Sequence, residues 1–131
     1  MCWAARSAYG RPMTQTTAAD VVERYSRALS ARDFDTARSL LADDLHFEGP
    51  IDTFDRADDY LKAIRGLLTM AKGMEHQATV AQGDDVAVFY RLDTPVAVAP
   101  VAEWYRVRGG RIAEVRAYFD ARPFAPPAGA N

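Results

Sequence analysis

The stretch VAPVAEWYRVRGGRIAEVRAYF, residues 98–119, decides the fold. In its first half Glu103, Tyr105 and Val107 share one parity, and Trp104, Arg106 and Arg108 share the other. In its second half Val115, Ala117 and Phe119 oppose Arg116, Tyr118 and Asp120. A strand sends alternate side chains to opposite faces, and Gly109-Gly110 supplies the backbone freedom of a tight turn. The stretch is therefore an antiparallel hairpin. Its arginine-bearing face is the solvent side, and its other face, Glu103 and Tyr105 included, is the pocket side.

Working outward, residues 75–82 and 85–93 have the same β-branched and aromatic character and flank Gly83-Asp84, so the last four strands form an antiparallel meander. Within the second run Phe89, Arg91 and Asp93 share one face and Val88, Tyr90 and Leu92 the other. Pro95 and Pro100 bracket residues 96–99, which fit either a strand extension or a wide connection. The N-terminal half is helical in pattern. Thr17 to Asp20 resembles a capping box ahead of Val21, Val22, Tyr25, Ala28 and Leu29 at helical spacing. Asp35 is placed to cap a short second helix, residues 45–48 read as a strand stopped by Gly49-Pro50, and Asp55 is placed to cap a third helix ending at Gly73. Helices first and a meander afterwards predict an α+β domain: three N-terminal helices on a curved, mainly antiparallel sheet enclosing one pocket, a cystatin-like cone.

The 131 residues, 49% hydrophobic and 26% charged, suit one domain. A net charge of −2 provides no electrostatic footprint for nucleic acid. No window approaches the roughly 18 apolar residues of a membrane span, and the start lacks the apolar core of a secretory signal; the expected location is cytoplasmic. Cys2 is the single cysteine, so neither an internal disulfide nor cysteine-based zinc spacing is available. Residues 1–15 are expected to be a dispensable extension, with Met13 as an alternative start, residues 16–122 the folded domain, and residues 123–131 a proline-rich tail pinned by Phe124.

Motifs for nucleotide, serine-nucleophile or His-Glu-x-x-His metal chemistry are missing, and His46 beside Glu48 lacks a third ligand at recognisable spacing. No metal and no cofactor are therefore expected. If Glu103, Arg91 and Asp93 face inward they require an explanation, since an unpaired carboxylate in an apolar space costs several kcal/mol. Function is one explanation. A structural Arg91–Asp93 ion pair and a rim-exposed Glu103 are the alternatives, as is a purely packing role for Tyr25.

The run Val21-Val22-Glu23-Arg24-Tyr25, the Ala42-Asp43-Asp44 before the first strand, and the ending RVRGGRIAEVRAYFD at 106–120 resemble SnoaL-like members of the nuclear-transport-factor-2-like superfamily over about residues 17–124. The resemblance implies the fold and a small-molecule pocket, and leaves the reaction open among isomerases, cyclases, epoxide hydrolases and binding proteins. Against ketosteroid isomerases, Tyr25 matches the oxyanion-hole tyrosine and Glu103 the protonated acid, while Gly49 replaces the catalytic aspartate and leaves Glu48 as the neighbouring base. Against limonene-epoxide hydrolases, Arg91-Leu92-Asp93 matches an Arg-x-Asp, whereas Ala117 replaces the water-activating aspartate and His46 and Glu48 take the places of the water-binding tyrosine and asparagine. Ala117 likewise removes the acid/base aspartate of the polyketide cyclases. Two readings follow. One is acid/base chemistry on a cyclic apolar compound, with Glu48 or His46 as base, Tyr25 and Glu103 as donors, and Arg91, Asp93, Tyr105, Val115, Ala117 and Phe119 around the ligand. The other is a non-catalytic binding or assembly domain. In both, Trp104 and Tyr118 on the outer sheet face predict a homodimer.

Overall fold

The computed structural model describes residues 16–124. Helices α1 (Ala18–Ser30) and α2 (Phe34–Ser39) lead into strand β1 (Leu41–Glu48), the short β2 (Thr53–Phe54) and helix α3 (Ala57–Met70). The meander follows: β3 (Gly73–Gln82), β4 (Asp85–Asp93), β5 (Val98–Arg108) and β6 (Arg111–Tyr118), then a 3-10 turn at Arg122–Phe124. The six strands form one open sheet in the order β2-β1-β6-β5-β4-β3. All neighbours are antiparallel except β1 and β6, where Phe47 lies beside Val115 in parallel register. The α+β class and the three helices agree with the sequence reading.

Local chemistry sets the boundaries. Thr17 and Asp20 make a reciprocal capping box, with Asp20 N–H donating to Thr17 Oγ1 at 3.0 Å and Thr17 N–H to Asp20 Oδ2 at 3.1 Å. The helix stops where Arg32 enters the left-handed region, φ 58°. A non-glycine residue tolerates that conformation when other contacts hold it, and here the Arg32 guanidinium donates to the Leu29 carbonyl at 2.9 Å and the Leu68 carbonyl at 3.4 Å. Asp33, rather than the expected Asp35, caps α2 through Thr36 N–H. The expected cap at Asp55 is also corrected: α3 starts after Arg56 without a side-chain cap, because the Asp55 carboxylate is engaged by His46. The third helix ends at Met70, and Gly73 opens β3. Thr94 closes the turn to Ala97, its N–H and hydroxyl donating to the Ala97 carbonyl at 3.0 and 2.8 Å, so β5 begins at Val98.

The core lies between the helices and the concave face of the sheet. Val21, Val22 and Tyr25 of α1 are buried, as are Val86, Val101, Tyr105, Ile112 and Val115 of the strands. Each such aliphatic side chain contributes about 1.5–3 kcal/mol by leaving water. Sheet curvature has identifiable sources: register shifts occur at Gln77 in β3 and at Ala113 in β6, and bulges of this kind increase local twist. Among the described residues no helix is long and apolar enough to cross a membrane. Nearly all of the expected extension and tail lie outside the described residues; Phe124 itself packs edge-on against Phe119 at 5.9 Å between ring centres.

Candidate functional site

A cavity of about 280 Å³ opens between the concave sheet, α3 and the β1–β2 hairpin. The hairpin supplies Phe47, Gly49, Asp52 and Phe54; α3 supplies Tyr60, Ile64 and Leu67; the sheet supplies Tyr90, Leu92, Val101, Glu103 and Ala117; Phe119 and Phe124 close the far end. Small residues make the space. Ala117 stands directly across from Glu103 in the β5–β6 register, and the Gly49 backbone is so close to it that a Cβ on Gly49 would lie 3.8 Å from the Ala117 Cβ.

Glu103 is the buried ionisable group of this wall. Its Oε1 accepts a hydrogen bond from the Tyr105 hydroxyl at 2.5 Å, and the Tyr90 phenol on the same wall also favours its charged form. Burial pushes the Glu103 carboxyl above the usual carboxylate range, and the two phenols only partly oppose this. Among the described residues no Lys, Arg or His lines the cavity to compensate a negative charge. Tyr25 and Tyr60 extend the network, with their hydroxyls 3.4 Å apart. Burial raises all four phenols, so they remain neutral donors. Tyr60 is held in place by stacking on Phe47 at 4.9 Å, and Tyr25 by an edge contact with Tyr105 at 6.2 Å.

The sequence-derived candidates divide by location. Glu103, Ala117 and Phe119 line the cavity. Tyr25, Tyr105 and Val115 are buried behind it, with Tyr60 rather than Tyr25 on the cavity wall. His46 and Glu48 are not on the cavity wall. Strand alternation turns Phe47 inward and places them on the other face, where His46 Nδ1 is 2.7 Å from Asp55 Oδ1 and Nε2 is 3.6 Å from Glu48. Arg91 and Asp93 also miss the cavity, because the apolar parity of β4, with Val88, Tyr90 and Leu92, is the buried one. The Arg-x-Asp therefore lies on the solvent face, away from any ligand in the cavity.

Three polar lining residues escaped sequence reasoning. Tyr60 belongs to the stripe Tyr60, Ile64, Leu67 at helical spacing, a signal that would have found it. Tyr90 shares parity with Val88 and Leu92. Asp52 had no sequence signal, since it sits in a hairpin tip fixed by the Gly49 N–H donating to the Asp52 carbonyl at 2.9 Å. Among the described residues no cluster of three or more His, Cys, Asp or Glu side chains is arranged to hold a metal ion.

Residues 22–115 match the SnoaL-like domain. The chain belongs to the SnoaL-like family. This SnoaL-like chain is similar to a crystallised protein from Kribbella flavida, with 32% identity, 84% of this chain and 92% of the other covered, and a TM-score of 0.77. It is also similar to an M. tuberculosis LEH-like epoxide hydrolase at 25% identity, covering 79% and 83% of the two chains with a TM-score of 0.66. An NTF2-like protein of unknown function from Cytophaga hutchinsonii shares 23% identity over 86% and 98% of the chains with a TM-score of 0.74, which supports the fold alone. No curated protein matches the chain.

Proposed function

We propose that this SnoaL-like domain holds a cyclic, largely apolar small molecule in the cavity, with the polar end of the molecule hydrogen-bonded by Glu103. The single observation that supports this reading is a buried carboxyl, served by phenols and no cation, on the wall of an apolar cavity. Desolvation favours the protonated form of such a group. A neutral acid can then donate to a ketone, phenol or epoxide oxygen, as oxyanion-stabilising donors do.

Binding without turnover is the first reading, because His46 and Glu48 lie off the cavity wall. Acid/base catalysis, whether isomerisation, cyclisation or epoxide opening, is the second. One observation favours it: Asp52 lines the same cavity as Glu103, so a base and an acid share one space. A panel of epoxides, enones and steroids, followed for both consumption and thermal stabilisation, separates the two. Stabilisation without consumption supports binding; turnover that is lost in Asp52→Asn supports catalysis; neither effect with any compound contradicts both.

A cytoplasmic homodimer belongs to the same reading. The outer sheet face carries Val80, Phe89, Val98, Trp104 and Tyr118, all exposed, an extent of apolar surface that monomers usually cover. A single cysteine is in keeping with a reducing compartment.

A further inference from the structure

We propose that the cavity is charge-selective: it admits an uncharged mono- or bicyclic molecule of roughly ten to fifteen non-hydrogen atoms and excludes carboxylate analogues of the same skeleton, with Asp52 setting the exclusion at the mouth. The inference rests on the small-molecule reading above and adds size, charge and a specificity-determining residue to it.

Size follows from the volume. About 280 Å³ lies just under the range of pockets that take drug-sized ligands, and at the packing density of a protein interior it holds a compound of one or two rings. Gly49 and Ala117 already contribute the smallest side chains available, and Phe119 and Phe124 wall off the end.

Charge follows from the composition of the wall. Among the described residues its ionisable carboxyls are Glu103 and Asp52, and no Lys, Arg or His lines it. An anion drawn inside would lose its hydration with only a buried carboxyl and phenols to replace it, a poor exchange for a full charge. An anion left at the mouth would meet Asp52. That residue is exposed, and no ion pair or side-chain hydrogen bond of its carboxylate is present among the described residues. It lines the cavity together with Pro50 and Ile51, so an anion entering there comes within Coulombic range of its charge. The histidine of this hairpin, His46, faces the other way and is occupied by Asp55 and Glu48.

A matched trio tests the proposal: 2-tetralone, 2-aminotetralin and tetralin-2-carboxylate, titrated calorimetrically into the full chain and its Asp52→Asn variant at neutral pH. The ketone is expected to bind, and the carboxylate to bind at least about tenfold more weakly, or about 1.4 kcal/mol. In Asp52→Asn the carboxylate should gain severalfold affinity relative to the ketone, and the amine lose affinity relative to it. Carboxylate binding as tight as that of the ketone, or a carboxylate-to-ketone ratio that Asp52→Asn leaves unmoved, overturns the charge filter alone. If none of the three binds the unmodified chain, the small-molecule reading itself falls and the filter with it.

Discussion

The phenolic oxygen of Tyr105 lies 2.5 Å from Oε1 of Glu103, two positions along one strand and on one face of the sheet. Strand alternation brings the pair together without any long-range accident. The bond ties the cavity wall to the core, because Tyr105 is buried against Tyr25 while Glu103 borders the open space. Tyr105→Phe keeps the ring and removes the donor. It should destabilise the fold by about 1–2 kcal/mol, the range for one lost hydrogen bond to a buried group. Since this bond lowers the Glu103 pKa, its loss should move Glu103 further up. Denaturant unfolding of the variant checks the first effect and carboxyl titration the second.

Gly49 fixes the volume of the cavity at its narrowest packing. A Cβ built there lies 2.9 Å from the Phe47 ring carbon Cζ, and that ring is stacked on Tyr60. Gly49→Ala should therefore push Phe47 toward Tyr60, cost about 1–3 kcal/mol as overpacking does, and weaken ligand binding. Gly66, where a Cβ meets nothing within 4 Å, is the control: Gly66→Ala lies inside α3 and should stabilise it by up to about 1 kcal/mol through helix propensity. Paired melting curves measure both.

His46 should make stability depend on pH near neutrality. Its imidazole pKa is raised, first by the hydrogen bond to Asp55, with desolvation opposing this and the Asp55 charge and Glu48 adding to it. The folded state therefore holds the proton more tightly than the unfolded chain. The stabilisation is complete below the ordinary histidine value of about 6.5 and is lost as pH rises through the higher folded value. Asp55→Asn should flatten this slope. Because the ring is a third exposed, the effect is small, and melting temperatures measured between pH 5.5 and 8.5 provide the comparison.

The outer sheet face should carry the subunit contact. Phe89 is 39% exposed there, beside Val80 and across β4–β5 from Ala102. A Phe89→Lys substitution places an unpaired charge in the middle of this patch. Sedimentation should show a dimer for the unmodified chain at micromolar concentration and a monomer for the variant; a monomer in both cases removes the dimer from the account.

The fold was legible in the sequence because its strongest signals are local. Gly109-Gly110 fixes the final turn, and counting by twos from it puts Glu103, Tyr105 and Ala117 on the concave side. The extra residue Ala113 shifts the pairing near the turn, but Val115 and Ala117 lie beyond the bulge and keep their parity. Thr17 and Asp20 were readable for the same reason, since a capping box spans four residues. What was not legible depends on distant partners. Asp55 reads as a helix cap, yet a histidine across the hairpin takes its carboxylate. Arg91 and Asp93 resemble a ligand-holding pair, but which face of β4 is concave is decided by the helices that pack on it. Asp52 lies in a hairpin tip, where neither period reveals direction.

Burial favours the protonated form of the Glu103 carboxyl on the cavity wall, and carboxyl NMR of the glutamate-labelled chain reads this out. One resonance, absent in Glu103→Gln, should have a midpoint above the ordinary glutamate value of about 4.3. The matching stability is greatest below that value and falls as pH rises toward the folded midpoint, because the folded state binds this proton more tightly. Glu103→Gln should remove that slope. If instead the Glu103 resonance titrates at or below the ordinary value, its carboxyl is ionised at neutral pH and cannot donate to a ligand, which contradicts the account.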